Sequence, residues 1–244
     1  MSTLSFWPLF TRLGEAQILL PLVALAALWL WLGAGQGALA RRWLLAVGCA
    51  VALTTASKLA FIGWEVGVAD WDFTGISGHA ACSAAILPML GWLLVCGRAK
   101  PVRRAGVLGG FALAGLIAWS RLAVDAHSSS EAISGFVLGS VASWIALSGL
   151  SLARAADNMP FASAAGSATA APRWLQTAVI ASLLVLPFSA PRSQSHDWVT
   201  ALSVRLSGRG QPFMRHELHR QPQLMQQQRQ PAALRSSQSS RVIW

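Results

Sequence analysis

The sequence contains few charged residues. Only 11% of its 244 residues are Asp, Glu, Lys or Arg, whereas 54% are hydrophobic and the mean hydropathy is +0.50. This composition is rare among soluble domains and disfavours a soluble globular protein. The strand-like alternation of apolar and polar residues is also absent. Because unpaired backbone groups are costly in lipid, the long apolar runs are expected to be helices.

Cysteines and leader signals are equally sparse. Cys49, Cys82 and Cys96 lie in or beside apolar runs without C-x-x-C spacing, so neither a disulfide framework nor a zinc site is indicated. All three are expected to be buried thiols. No basic stretch precedes the first apolar run and no cleavage site follows it, so we expect this run to be retained rather than removed as a signal peptide.

Apolar runs dominate the first 190 residues. A helix needs about 20 residues to cross the hydrocarbon of a bilayer. The expected spans are 16–34, 43–62, 79–96, 105–119, 132–150 and 174–190. Runs 105–119 and 174–190 are short but can span with flanking residues or local thinning of the bilayer. The sequence therefore predicts an all-α, polytopic membrane helix bundle with about six transmembrane helices.

The basic residues indicate the orientation of this bundle. Eight of the nineteen lie after residue 190, and eight more lie in three short loops. The loop residues are Arg41, Arg42, Arg98, Lys100, Arg103, Arg104, Arg154 and Arg173. The positive-inside rule places these loops in the cytoplasm, so loops 63–78 and 120–131 are expected to face the periplasm or outside of an inner membrane. The net charge of +10 therefore reflects membrane topology, and no nucleic-acid partner is expected.

Composition also divides the chain. Residues 1–190 form the predicted membrane domain, and 191–244 form a basic tail rich in Gln and Ser that is expected to be largely disordered. Within the tail, 197–206 is expected to form a short surface helix. If 174–190 crosses the membrane, the tail lies outside the cell membrane. If that run enters the membrane without crossing it, the tail lies on the cytoplasmic side. The small residues of Gly106/Gly110 and Gly135/Gly139 favour close helix packing.

Ionisable residues concentrate in the two outward loops and the adjoining helix ends. Such groups are costly near a bilayer, so each is a functional candidate. Ser77, Gly78 and His79 lead directly into an expected helix, whose first backbone N–H groups favour binding of an anion such as phosphate. In the second loop, His127 and Glu131 would share one helical face. A carboxylate there can hold one imidazole nitrogen protonated and leave the other free to attack phosphorus.

These residues resemble the motifs of the type 2 phosphatidic acid phosphatases, or lipid phosphate phosphatases, which share a core with vanadium-dependent haloperoxidases. The family pattern is KxxxxxxRP, then PSGH, then SRxxxxxHxxxD. The matching residues are Ser77, Gly78 and His79 in the second motif, and Ser120, Arg121 and His127 in the third. The resemblance covers about 43–150 of this chain.

The sequence departs from the pattern at several positions. Ile76 replaces the proline of the second motif, and Glu131 replaces the aspartate of the third. Lys58 is the remnant of the first motif, but Glu65 and Val66 stand where Arg-Pro would fall. These changes bear on activity and substrate choice rather than on the fold.

The resemblance implies a role for each matched residue. His127 would be the nucleophile that forms a phosphohistidine, Glu131 would orient it, and His79 would protonate the leaving alkoxide and then activate water. Phosphate would be held by Lys58, Ser77, Gly78, Ser120 and Arg121. Such a site needs neither a metal nor a cofactor.

The implied activity is hydrolysis of a lipid phosphate or polyprenyl diphosphate, because the site would lie at headgroup depth. A non-catalytic lipid-binding or scaffold protein with a degraded site is the main alternative. A transporter is disfavoured since no inverted repeat and no charge at a span centre is evident, and haloperoxidase activity is disfavoured because those relatives are soluble.

Simpler roles of the individual residues also remain open. Ser77 would then be a helix cap, His127 and Glu131 a structural pair, and Lys58 and Arg121 cations that extend to the lipid headgroups.

Overall fold

The computed structural model describes residues 6–156, 170–191 and 193–220, and within these ranges the chain is helical without strands. The helices are α1 (Phe6–Arg12), α2 (Ala16–Leu28, continued by a π-helical turn at Trp29–Gly33), α3 (Gly37–Trp64), α4 (Gly78–Leu94), α5 (Lys100–Ala123), α6 (Ser129–Ala156), α7 (Arg173–Ser189) and α8 (Ser195–Ser207). A short 3-10 turn, Ala69–Trp71, lies between α3 and α4.

Four stretches of the described residues are long and apolar enough to cross a membrane: Phe6–Gly33, Gly37–Trp64, Lys100–Ala123 and Ser129–Ser148. Helices α4 and α7 are apolar but have only 17 residues each. The predicted fold class, an all-α polytopic membrane helix bundle, is confirmed. The predicted short run 105–119 is part of the 24-residue α5, because the helix begins at Lys100, before the apolar run.

Helix α4 lies at the centre of the bundle and packs against α5 and α6. Glycines permit this close approach: a methyl group at Gly106 would lie 2.5 Å from the Gly91 carbonyl oxygen, and one at Gly135 would lie 2.5 Å from the Ser77 carbonyl oxygen. The glycine pairs at 106/110 and 135/139 therefore do bring helices together, as their spacing predicts.

The outer faces of the bundle remain apolar. On α3, Leu45 and Leu53 are 63% and 54% exposed, and Cys49 lies between them on the same exposed face. Cys82 and Cys96 are buried. The prediction that all three thiols are buried inside the protein is therefore wrong for Cys49, because no helix of the described chain covers that face of α3.

Helix α7 extends from one end of the bundle to the other. Near its start, Gln176 donates a hydrogen bond to the Leu94 carbonyl at the end of α4 (3.3 Å). Beyond its other end, the Ala190 carbonyl accepts a hydrogen bond from Arg12, the last residue of α1. The tail therefore starts at the end of the bundle where α2 begins and α3 ends.

The described part of the tail, 193–220, is folded against this end. The predicted tail helix is confirmed as α8, whose Ser203 hydroxyl donates to the Leu59 carbonyl at 2.9 Å. Phe213 and Leu218 are 4% and 6% exposed and pack with Phe61 and Ile62. Packing thus continues beyond residue 190, where composition places the domain boundary, because a few apolar side chains anchor this otherwise polar segment. The disorder predicted for much of 191–244 is therefore not found in 193–220, and residues 221–244 lie outside the described residues.

Candidate active site

The two predicted outward loops meet at one end of the bundle, where α3 and α5 end and α4 and α6 begin. The Thr74 amide donates to Glu131 Oε1 (2.7 Å), and the Ser77 amide donates to the Glu131 carbonyl (3.1 Å). Ser130 also donates its hydroxyl proton to the Trp71 carbonyl at 2.8 Å. Antiparallel helices place both loops at the same end, and these hydrogen bonds join them into one site.

This end of the bundle encloses a cavity of about 550 Å³. Five of the residues predicted from the two motifs and the motif-one remnant line it: Lys58, Gly78, His79, Arg121 and His127. They come from α3, α4, α5 and the loop before α6. The structure therefore brings both histidines and both cations of the predicted site around one space large enough for a phosphorylated headgroup.

Glu131 lies directly behind His127. Its side chain is fully buried, and Oε2 lies 2.6 Å from His127 Nδ1. The other oxygen, Oε1, accepts hydrogen bonds from the amide and the hydroxyl of Thr74. With its carboxylate fixed in this way, Glu131 holds Nδ1 protonated, so Nε2 is the ring nitrogen with a free lone pair.

Glu131 also caps the helix that carries it. The Ser128 amide donates to Glu131 Oε2 at 3.2 Å, and the Glu131 amide lies 3.4 Å from the Ser128 hydroxyl oxygen. This is a capping box, S-x-x-E, encoded by residues 128–131. One carboxylate therefore sets both the start of α6 and the orientation of the imidazole, and the additional methylene of Glu relative to Asp suits this double role.

Burial in the loop before α6 lowers the pKa of His127, and its hydrogen bond to Glu131 opposes that change only in part. Lys58 and Arg121 add to the lowering, since positive charges disfavour imidazolium. The imidazole is consequently neutral at neutral pH. A neutral ring with a fixed Nδ1 proton is the form in which a histidine acts as a nucleophile.

The two cations are held by different neighbours. Arg121 donates from Nη1 to the Thr11 hydroxyl at 3.0 Å. The backbone of Lys58 packs against Gly75, which has a φ of +132°, and a methyl group at Gly75 would lie 3.1 Å from Lys58 Cγ. Glycine is needed there for both reasons, and it brings the loop before α4 close to α3.

The start of α4 presents backbone donors that precede its first intrahelical hydrogen bond. The first intrahelical hydrogen bond of α4 runs from the Ala81 amide to the Ser77 carbonyl (3.0 Å), so the amides of Gly78, His79 and Ala80 precede it. Such amides, with the positive end of the helix dipole, attract an anion. This agrees with the anion-binding role predicted for Gly78.

Ser77 and Ser120 do not line the cavity. Ser77 is fully buried, and its hydroxyl has no hydrogen-bond partner among the described residues. Ser120 is also fully buried, and its hydroxyl donates to the Ile117 carbonyl of its own helix at 2.6 Å. The phosphate-binding roles of these two serines stay predictions, and in this structure both lie behind the residues that face the cavity.

Two arginines of the tail contact the loop end of the bundle. Glu65 ends α3 with a left-handed φ of 61° and pairs with Arg209 at 2.5 Å, so it faces the tail rather than the cavity. Another tail residue, Arg215, reaches the site and donates from Nη2 to Glu131 Oε2 at 2.7 Å. The motifs do not identify Arg215, and the only sequence signal near it is Phe213, an apolar residue in a polar segment.

Part of the chain is similar to known proteins. The model of the PAP2 superfamily matches residues 54–154, which contain both histidines and Lys58. A Klebsiella pneumoniae protein described as an uncharacterized 22.5 kDa protein in the cps region is 42% identical over 137 residues, covering 56% of this chain. The alignment spans 66% of that protein, slightly less than two thirds of its length. No solved structure matches the chain. The family model that matches residues 54–154 is thus that of the family predicted from the two histidine motifs.

Proposed function

We propose that this protein is a membrane phosphatase that hydrolyses a lipid phosphate or diphosphate through a phosphohistidine intermediate, without a metal ion. The match to the PAP2 superfamily supports a phosphatase-type function. The observation that carries the finer proposal is the pair of His127 and Glu131, 2.6 Å apart, facing a cavity that Lys58, His79 and Arg121 also line.

In the first step, His127 Nε2 attacks the phosphorus atom. A P–N bond forms as the bond from phosphorus to the lipid oxygen breaks, and His79, which the negative charge of the bound phosphate keeps protonated, donates a proton to the departing alkoxide. Glu131 stabilises the positive charge that develops on the imidazole. Lys58, Arg121 and the amides at the start of α4 bind the phosphate oxygens and stabilise the transition state.

In the second step, water hydrolyses the phosphohistidine. His79, now neutral, accepts a proton from the water as its oxygen attacks phosphorus. The P–N bond breaks, its electron pair returns to His127 Nε2, and inorganic phosphate leaves. The two steps restore both histidines to their starting protonation states, so the cycle needs no further reactant.

The location and lining of the cavity support a lipid substrate. The site lies at the ends of helices whose outer faces are apolar, where lipid headgroups would lie. Beside the ionisable groups, the cavity is lined by apolar side chains of α3 and the tail, including Val51, Ile62, Val199 and Phe213. These surfaces suit the first segment of an acyl or prenyl chain that enters between the helices.

Phosphate release from the detergent-purified protein tests this proposal. In EDTA, the protein is expected to release phosphate from at least one of phosphatidic acid, phosphatidylglycerol phosphate and a polyprenyl diphosphate, and much less from a short soluble phosphomonoester. His127→Ala should abolish release. His216→Ala is the matched control because His216 is exposed and does not line the cavity.

The same assay decides the main alternatives. Equal release by His127→Ala and the wild type would overturn the mechanism, and faster hydrolysis of the soluble ester would overturn the lipid assignment. Failure to hydrolyse any of the lipids would favour a non-catalytic lipid-binding protein. Rapid quenching with radiolabelled substrate should trap a base-stable, acid-labile phosphoryl group on the wild type and not on His127→Ala.

A further inference from the structure

The described part of the tail, 193–220, covers one side of the cavity, and we refer to it as the C-terminal strap. Residues from both its helix and the segment after it line the cavity, among them His196, Val199, Phe213 and Arg215. The strap thus forms a wall of the site, although it lies outside the region matched by the superfamily model.

Several contacts fix the strap to the loop end of α3. Ser203 donates to the Leu59 carbonyl (2.9 Å), and the Phe213 amide donates to the Ile62 carbonyl (3.0 Å). The ring of Phe213 meets that of Phe61 edge to face, with centroids 5.3 Å apart. Because the Phe213 side chain is buried, this last contact places the following residues over the site.

Arg215 extends from this anchored segment to the catalytic pair. Its Nη2 lies 2.7 Å from Glu131 Oε2, the same oxygen that bonds to His127 Nδ1. Its Nη1 donates to Asp72, and Nη2 also lies 3.3 Å from the Thr74 hydroxyl. The guanidinium is therefore separated from the proposed nucleophile by a single carboxylate oxygen.

Two features distinguish this contact from an ordinary surface ion pair. An exposed pair contributes only about 0–1 kcal/mol to stability, but the Glu131 side chain is fully buried, where a carboxylate charge is costly unless a cation compensates it. Arg215 also shares the negative charge of Glu131 with His127. Since that charge favours imidazolium, a guanidinium bonded to the same oxygen favours the neutral ring.

We propose that Arg215 is a positioning residue of the active site, which acts through Glu131 to keep His127 neutral and correctly oriented, so that the C-terminal strap completes the site. The inference rests on the proposed function in taking His127 as the nucleophile. It assigns a role to a residue of the tail that neither histidine motif contains.

The charges around His127 determine the expected effect. Lys58 of α3, His79 of α4, Arg121 of α5 and His196 of the strap line the same cavity. Glu131 of α6 is in direct contact with the ring, while Asp72 lies on the far side of Arg215. Removing Arg215 leaves the Glu131 carboxylate facing His127 with one cation fewer, so the pKa of His127 should rise.

The test compares Arg215→Ala with Arg209→Ala. Both changes truncate a strap arginine that pairs with an acidic residue, but Arg209 pairs with Glu65, away from the cavity. For Arg215→Ala we expect kcat to fall about tenfold or more, as is typical for groups that support a catalytic residue, with a smaller change in KM. Arg209→Ala should leave kcat close to that of the wild type.

NMR titration of His127 gives a readout that does not depend on activity. In protein labelled with 15N-histidine, with His127→Asn used for assignment, Arg215→Ala should raise the pKa of His127 and Arg209→Ala should not. Arg215→Lys keeps the charge and should restore most of both properties, whereas Arg215→Gln keeps a donor without charge and should not. If Arg215→Ala does not fold, the Lys and Gln variants make the same comparison.

Failure of this inference differs from failure of the proposed function. Equal kcat and equal His127 pKa in the Arg215→Ala and Arg209→Ala proteins would overturn the role of Arg215, even in an active phosphatase. A wild type without phosphatase activity would overturn the proposed function, and the His127 titration would still show whether Arg215 controls the protonation of the pair.

Discussion

The amide of Thr74 donates a hydrogen bond to Glu131 Oε1 at 2.7 Å, across 57 positions of sequence. Thr74 lies in the loop before α4, which carries His79, and Glu131 begins α6, next to His127. The bond therefore ties the loop of the second motif to the carboxylate of the third. It also uses the oxygen of Glu131 that does not contact the imidazole, so one side chain joins the two halves of the site.

Glu131→Gln is expected to reduce activity strongly. The buried carboxylate accepts hydrogen bonds from Thr74, Ser128 and Arg215 as well as from His127. A glutamine amide places an NH₂ group against some of these donors, each unsatisfied buried group costing about 1–3 kcal/mol. It also fails to stabilise imidazolium, so kcat should fall roughly 10²- to 10⁴-fold, the range for loss of acid–base support.

Glu217→Gln is the matched control for that change. Glu217 accepts a hydrogen bond from the Met214 amide at 2.7 Å in the strap and does not line the cavity. Steady-state kinetics and thermal unfolding should show losses in both activity and stability only for Glu131→Gln. An active Glu131→Gln protein with a normal unfolding temperature would contradict the role of the carboxylate.

The pairing of His127 with Glu131 could be predicted from sequence because it is local. A spacing of four residues at a helix start brings two side chains together, whatever the rest of the fold. The S-x-x-E capping box at 128–131 is an equally local signal, and it fixes where α6 begins. The shared location of both loops follows from counting apolar runs, since successive spans are antiparallel.

The role of Arg215 could not be predicted, for the opposite reason. It lies 84 positions from Glu131, and its placement depends on α7 crossing the bundle and on Phe213 packing against Phe61. Nothing local distinguishes it from the seven other arginines after residue 190. Likewise, the motif match does not show that Ser77 and Ser120 are buried outside the cavity lining, because a motif specifies order along the chain rather than surroundings.

The pH dependence of the reaction should reflect the lowered pKa of His127. Burial lowers this pKa from its ordinary value of 6.5, against the opposing hydrogen bond from Glu131. The neutral, nucleophilic ring is then retained as the pH falls through 6.5, and activity is lost only at lower pH. The acid limb of kcat/KM should lie below 6.5, and NMR titration of His127 should give the same midpoint. An acid limb above 6.5 would show that imidazolium is favoured and contradict this account.

Gly63→Val is expected to displace the strap from α3. A methyl group at Gly63 would lie 2.7 Å from the Ser203 hydroxyl oxygen and 3.1 Å from Ser207 Cβ. Valine adds two further carbons, and such overpacking costs about 1–3 kcal/mol. We expect lower activity and faster tryptic cleavage after Arg205 and Arg209.

The control for this variant is Gly48→Val on the same helix. Nothing lies within 4 Å of a methyl group at Gly48, so the substitution changes helix propensity without a clash. Activity and cleavage rate should match those of the wild type. If the Gly63→Val and Gly48→Val proteins are cleaved at equal rates, α8 does not pack on Gly63 in the membrane-embedded protein.

Gly75→Ala should weaken phosphate binding by disturbing Lys58. Gly75 has a φ of +132°, which L residues rarely adopt, and a methyl group there would lie 3.1 Å from Lys58 Cγ and 3.3 Å from its Cα. The backbone strain costs about 1–3 kcal/mol, and the contact pushes the loop and Lys58 apart. Gly35→Ala also places an L residue at a positive φ, +64°, but with nothing within 4 Å. Both variants should unfold at lower temperature, but only Gly75→Ala should raise the inhibition constant of inorganic phosphate. Equal inhibition constants in the two variants would mean that Lys58 does not contact the phosphate. Phosphate would then be bound by Arg121 and the amides at the start of α4.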